Sequence, residues 1–441
     1  MHSAATSTSA KGTLHFSRLG LTFCSTQMAV AAIRGALVLA GLSAMSLFGA
    51  RLAQAQTETV IYNFCPDGQG YSCPSGAVPE GGLARRHGKL YGTTHNGGAA
   101  GAGTVFELSP NGRGGWNESL LHSFTGGADG ESPFGNVIFD RQGNLYGTAA
   151  YGGANKYGVV FELSPVGSSW TETVLYNFTN GVDGAYPVGG LLMDPAGNLY
   201  GTTVNGGFGA FVFELTPSGG NWTERVIYGP VDYGYTGLTR DTAGNIFGVS
   251  TETKGQNNVY INKAFELSPN GEGGWKSKVI YAFRHDVFAN GTPVLDKAGN
   301  LYGTTFNDGA NGLGTVYKLS PGRKGWRKKT LYSFRGYLQN DGANPGGGIV
   351  FDAAGNIYGA TANGGANGDG GYGTVYELVP PVGPGHYQEK VLWSFNGTDG
   401  SEPGDRLILD NTGKLYGTTS SGGGSGCSSP VGCGLVFEVT P

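Results

Sequence analysis

Short apolar runs separated by glycine-rich turns dominate this chain, and within a run apolar and polar positions alternate with the period of a half-buried strand. Val105 and Glu107, for instance, alternate with Phe106 and Leu108. Beyond residue 55 no stretch carries a sustained 3.6-residue apolar stripe, so few helices are expected. The segment after Gly190 shows the unit that results. Gly190–Asp194 reads as a short apolar strand ended by the turn Pro195–Asn198, and Leu199–Thr203 as a second strand. A loop at Asn205–Gly207 leads to a third strand, Phe211–Leu215, and a turn at Pro217–Asn221 leads to a fourth, Trp222–Tyr228.

The unit recurs. Gly143-Asn144-Leu145-Tyr146-Gly147-Thr148 has counterparts centred on Tyr91, Tyr200, Phe247, Tyr302, Tyr358 and Tyr416. A period of about 55 residues marks an array of supersecondary units. Four antiparallel strands in each of seven units predict an all-β fold, a seven-bladed β-propeller, over residues 56–441 as one domain. Glu58–Phe64 matches the fourth strand of other units, and Leu435–Val439 matches the third. The N-terminal strand (58–64) is therefore expected to complete the last blade, which removes an open sheet edge. The recurrent aromatic positions are expected to fill the space between blades.

These units resemble the GloVer-type tandem repeat of secreted bacterial proteins. The resemblance rests on Asp-x-x-Gly-Asn-Leu-Tyr-Gly-Thr-Thr, as at Asp194–Thr203, and on Val-Phe-Glu-Leu-Thr-Pro, as at Val212–Pro217. It implies an extracytoplasmic, propeller-like protein and names no activity; family members carry different C-terminal anchors, and none is read before Pro441.

Composition adds address more than chemistry. The 83 glycines are assigned mostly to turns between strands. A formal net charge of −4 gives no general attraction to nucleic acid. The basic cluster Arg323, Lys324, Arg327, Lys328 and Lys329 reads as a solvated hairpin tip. Arg34, the apolar run Gly35–Ala50 and Ala53-Gln54-Ala55 together read as an export signal cleaved after Ala55, with translation starting at Met28. The mature protein is expected to be secreted or periplasmic, without a membrane span, and monomeric. Cys65, Cys73, Cys427 and Cys433 then read as disulfides, Cys65–Cys73 with Cys427–Cys433, or alternatively Cys65–Cys433 with Cys73–Cys427.

No nucleophile elbow, phosphate loop or spaced metal motif is present, and His87, His95, His122, His285 and His386 occupy no common repeat position. Asp140, Asp194, Asp241, Asp296, Asp352 and Asp410 precede the turn before the second strand, where a carboxylate can hold backbone N–H groups. Asp129, Asp183, Asp341 and Asp399 each precede glycine in the loops between units; these read as turns, with Ca2+ ligation as the alternative and no other cofactor expected.

The repeat is irregular between Tyr228 and Asp286. Asp232, Tyr233 and Tyr235 enter a shortened linking loop, Thr251–Lys263 replaces a glycine-rich loop, and Arg284-His285-Asp286 replaces small residues. Tyr233, Tyr235, Glu252, Lys254, Tyr260, Arg284, His285 and Asp286 are the candidate site, suited to a glycan or peptide. The reading is a binding or interaction module. The alternatives are a carbohydrate-active or lactone-processing enzyme using His285 with Asp286 or Glu252, and a structural envelope protein.

Overall fold

The structure is a computed structural model that describes residues 56–66, 73–234, 237–254, 259–289, 291–368, 370–424, 427 and 432–441. Seven antiparallel sheets follow one another along the chain as the blades of a propeller. Blade 1 spans Ala84–Ser123, blade 2 Ile138–Asn177, blade 3 Leu192–Val231 and blade 4 Thr239–His285. Blade 5 spans Val294–Ser333 and blade 6 Val350–Ser394, while blade 7 joins Ile408–Thr440 to Thr57–Asn63. In that last sheet Val60 lies opposite Phe437 and Asn63 opposite Leu435, so the first described strand closes the ring.

The glycine of the recurrent Leu-Tyr-Gly-Thr segment is not a turn residue. It lies inside the second strand because an aromatic ring rests on its backbone. A Cβ on Gly92 would come within 2.6 Å of Phe106 Cζ, and Gly147, Gly201, Gly248 and Gly417 are covered in the same way by Phe161, Phe213, Phe265 and Phe437. Each such ring meets a second ring from the preceding blade. Phe64 on Phe106, Phe124 on Phe161, Phe178 on Phe213 and Phe395 on Phe437 stand edge to face, with centroids 5.1–5.2 Å apart. Phe283 on Tyr317 and Phe334 on Tyr376 repeat the contact at 5.1 Å. Between blades 3 and 4 the phenylalanine position holds Pro230, and Tyr228 stacks on Phe265 instead, at 4.5 Å. The aromatic repeat is thus the adhesive between blades.

The recurrent aspartates hold turns, as their position suggested. Asp194 accepts bonds from the N–H groups of Ala196 (2.9 Å) and Asn198 (3.0 Å), from Asn198 Nδ2 (2.9 Å) and from the Tyr200 hydroxyl (3.2 Å). Asp241, Asp296 and Asp352 repeat the backbone and amide bonds. The basic cluster departs from the sequence reading at one position. Lys328 turns inward, 14% exposed, and pairs with Asp308 while its ammonium lies over the Phe283 ring. A strand alternates its faces, so one of three consecutive basic residues had to face the neighbouring blade.

Candidate functional site at the channel mouth

Links between blades share a device that sets the mouth of the central channel. Val78, Ser132, Tyr186, Asn344 and Glu402 adopt left-handed backbone (φ 56–59°), each directly before a proline. Each donates its N–H to a backbone carbonyl of the neighbouring blade, Ser132 to Ala102 at 2.8 Å and Tyr186 to Tyr157 at 2.9 Å. Such a conformation is costly away from glycine, so these bonds and the following proline hold it in place. The residue after the proline, Glu80, Phe134, Val188, Gly346 or Gly404, is thereby delivered to the channel rim.

Below that rim the links run through paired glycines into the innermost strands. Gly81 packs on the Gly135 carbonyl, and Gly135 on that of Gly189, so backbone rather than side chains forms much of the wall. The cup so formed has a volume of about 410 Å3, continuous through shared lining with a rim space of about 410 Å3. Its floor is apolar, built from Ile138, Leu192, Val350 and Ile408 of the innermost strands.

Three polar side chains interrupt the glycines, and each leans over a glycine of the adjacent blade. Asn136 covers Gly190, Thr292 covers Gly237, and Arg406 Cδ passes 3.2 Å from where a Gly348 Cβ would stand. Asp405 replaces the other glycine in blade 7. Its Oδ2 accepts the Gly82 N–H at 2.6 Å across the closing seam, and its Oδ1 accepts the Arg406 N–H at 2.6 Å. Burial pushes the Asp405 carboxyl up, against the pull of those two N–H groups and the Arg406 charge. Among the described residues the Arg406 guanidinium has no ion-pair partner. At the rim, burial and then neighbouring Glu402 push the Glu80 carboxyl up. His95 stacks on Phe134 at 4.1 Å, and burial lowers its pKa.

The irregular sector that the sequence singled out is an extended hairpin, Ile246–Lys254 with Val259–Pro269, prolonged by Trp275–His285. Tyr233 bridges Thr251, and its ring lies 6.4 Å from that of Tyr260, which in turn lies 5.8 Å from Phe288 at the channel rim. The Asp286 N–H donates to the Tyr260 carbonyl (2.9 Å), and Asp286 Oδ1 accepts the Tyr260 N–H (3.4 Å). Glu252 is committed to Lys263, which stands where blades 1 and 5 carry the inner threonine of a Thr–Thr pair. Lys254, Arg284 and His285 are exposed, on the outer parts of the hairpin, and do not line the cup. Tyr235 lies outside the described residues. Among its described residues the sector reaches the mouth through Phe288, with Tyr260 and Tyr233 behind it.

Sequence reasoning passed over Asn136, Thr292, Asp405 and Arg406. The signal was available: each replaces a glycine in the Gly-Gly that precedes the inner strand of other units, as at Gly189-Gly190 and Gly347-Gly348. The Asp-Gly carboxylates, weighed as Ca2+ ligands, are occupied by their own turns. Asp129 accepts Thr125 N (2.8 Å), and Asp183 accepts Thr179 N (2.8 Å) and the Tyr176 hydroxyl (3.0 Å). In the structure Cys65 is bonded to Cys73 and Cys427 to Cys433, with Cα separations of 5.5 and 4.9 Å.

Fold and mouth together define a seven-bladed propeller repeat protein whose channel opens into a glycine-walled cup. The chain belongs to the Gloeobacter/Verrucomicrobia repeat family, whose model matches residues 46–262 and 233–441. No curated protein matches it. Among solved structures it is similar to a candidate 6-phosphogluconolactonase from Bacteroides uniformis, at 13% identity and a TM-score of 0.50, covering 76% of this chain and 88% of that one. It is also similar to a puromycin-hydrolyzing peptidase from Mycobacterium tuberculosis, at 13% identity and a TM-score of 0.50, covering 82% of this chain. That match spans about half of the peptidase, 52% of its length. At such identities the likeness is one of fold.

Proposed function

We propose that this protein is an exported binding module that takes a small organic ligand into the cup at the glycine-walled end of its channel. The observation that carries the reading is Arg406, a cation with no ion-pair partner among the described residues, set into a concave, apolar-floored space. Pockets of this size with an apolar lining and a few placed polar groups are the usual form of a small-molecule site. Asn136 and Thr292 supply an amide and a hydroxyl on the same wall, and Phe134 and Phe288 supply apolar faces above it.

A hydrolytic reading has one observation in its favour. Burial and then neighbouring Glu402 raise the Glu80 carboxyl, and the two carboxyls line one space, where a raised carboxyl can serve as a general acid. The test is a thermal-shift screen of metabolites, saccharides and peptides on the purified protein and on Thr292→Trp, which fills the cup. A ligand that stabilises the native protein and not the variant is expected, and loss of the compound during incubation would favour hydrolysis. Equal response of both proteins to every compound would overturn the proposal.

A further inference from the structure

We propose that the ligand of this cup is a zwitterion, an α-amino acid or the like, held by its carboxylate on Arg406 and by its ammonium at Glu80 and Asp405. The inference rests on the small-molecule reading above and adds the ligand's class.

The charges at the mouth are few and segregated. Arg406 leans over Gly348, on the side of the channel that blade 6 forms with blade 7. The carboxylates gather at the opposite edge of blade 7, where it meets blade 1: Asp405 reaches Gly82 across that seam, and Glu80 lies on the blade 1 side of the rim. Asp405, Asn136, Thr292, Gly190 and Gly237 line both the cup and the rim space, so one ligand can touch both sets of groups. A neutral ligand would make no use of the Arg406 guanidinium, which has no ion-pair partner among the described residues, and a purely anionic one would have to pass Glu80 and Glu402. A planar guanidinium suits a carboxylate in two-point contact, and the carboxyls suit an ammonium. The apolar floor of Ile138, Leu192, Val350 and Ile408 is left for an aliphatic side chain. Glu80 supports the assignment from a second direction, because burial and Glu402 disfavour its charge and a bound ammonium would restore it.

Four leucine derivatives separate the charges at constant side chain: leucine, leucinamide, N-acetylleucine and N-acetylleucinamide. Titration calorimetry should find leucine tighter than each of the others by about tenfold or more, the worth of one charge-assisted contact. Arg406→Gln should bring leucine down to the level of leucinamide, and Glu80→Gln to the level of N-acetylleucine. Equal affinity for all four, or leucine binding that neither variant weakens, would overturn the inference. If none of the four binds while a neutral saccharide does, and Thr292→Trp abolishes that binding, the inference falls and the binding function stands. If no compound is sensitive to Thr292→Trp, both fall.

Discussion

Glu172, on the outer strand of blade 2, faces Asp129 in the turn that leaves blade 1, and its buried Oε1 has no hydrogen-bond partner. The arrangement recurs as Glu224 with Asp183, Glu389 with Asp341 and Glu58 with Asp399. In each case the glutamate stands opposite the Leu or Val of the third strand, as Glu172 does opposite Leu163. In blades 4 and 5 that place is taken by Ser277 and Lys328, and the turns before those blades carry no Asp-Gly.

These pairs predict a ring that loosens as pH rises through neutrality. Burial first, and the facing aspartate second, push Glu58, Glu172 and Glu224 up to about 7 and Glu389 to about 8, from an ordinary value of 4.5. The folded pKa lies above the unfolded one, so the stabilisation is full below about 4.5 and is lost as pH rises through about 7 to 8. The melting temperature should fall between about pH 5 and about pH 9, and Glu172→Gln should fall less. A melting temperature that rises over that interval would contradict the sign.

Gly147→Ala places a methyl group against the Phe161 ring, in a seam already closed by Phe124. The expected cost is about 2 kcal/mol, read by urea denaturation, because a packed interior accommodates an added methyl only by moving its neighbours. Gly197→Ala makes a useful contrast. Its Cβ would meet nothing, yet its φ of 90° disfavours alanine, so any loss there is conformational rather than steric.

The closing strand should matter beyond its size. Phe64 is 1% exposed and stands on Phe106 of blade 1, so Phe64→Ala should cost about 3 kcal/mol or more. Removing Thr57–Asn63 exposes the whole edge of Leu435–Thr440. Such an edge pairs readily with another chain, so size-exclusion chromatography should show oligomers or aggregates in place of the native elution position.

Export is expected to leave Gln56 as the first residue, one position before the strand that closes the ring. Mass spectrometry of the N-terminal peptide from the secreting cell checks this, and a mature N-terminus within Thr57–Asn63 would be incompatible with the closure seen here.

Much of the architecture was legible because a propeller repeats its reasons. Strand period and turn chemistry recur in every unit and the aspartate turn in six of the seven, so each copy corrects the reading of the others. The glycine of Leu-Tyr-Gly-Thr falls within the second strand in the sequence reading, but the reason for it, a ring from the next strand, is absent from its own neighbourhood in sequence. The site was sought where the repeat broke most visibly, at Tyr228–Asp286, while the smaller break at Asp405-Arg406 faces the channel. The hairpin of blade 4 is conspicuous in sequence because it is longer, and length alone does not bring side chains to an axis.

By itself, then, the sequence determined the all-β units, their number and the pairing of Glu58–Phe64 with Leu435–Val439, since these follow from local periodicity and from matching one copy to another. Only the tertiary structure decided which substitutions share a space. Asn136, Thr292, Asp405 and Arg406 lie in the links entering blades 2, 5 and 7, and they meet because curvature around the axis brings every inner strand to one channel. Closure of a ring is a sum over all seams, and no single unit carries it.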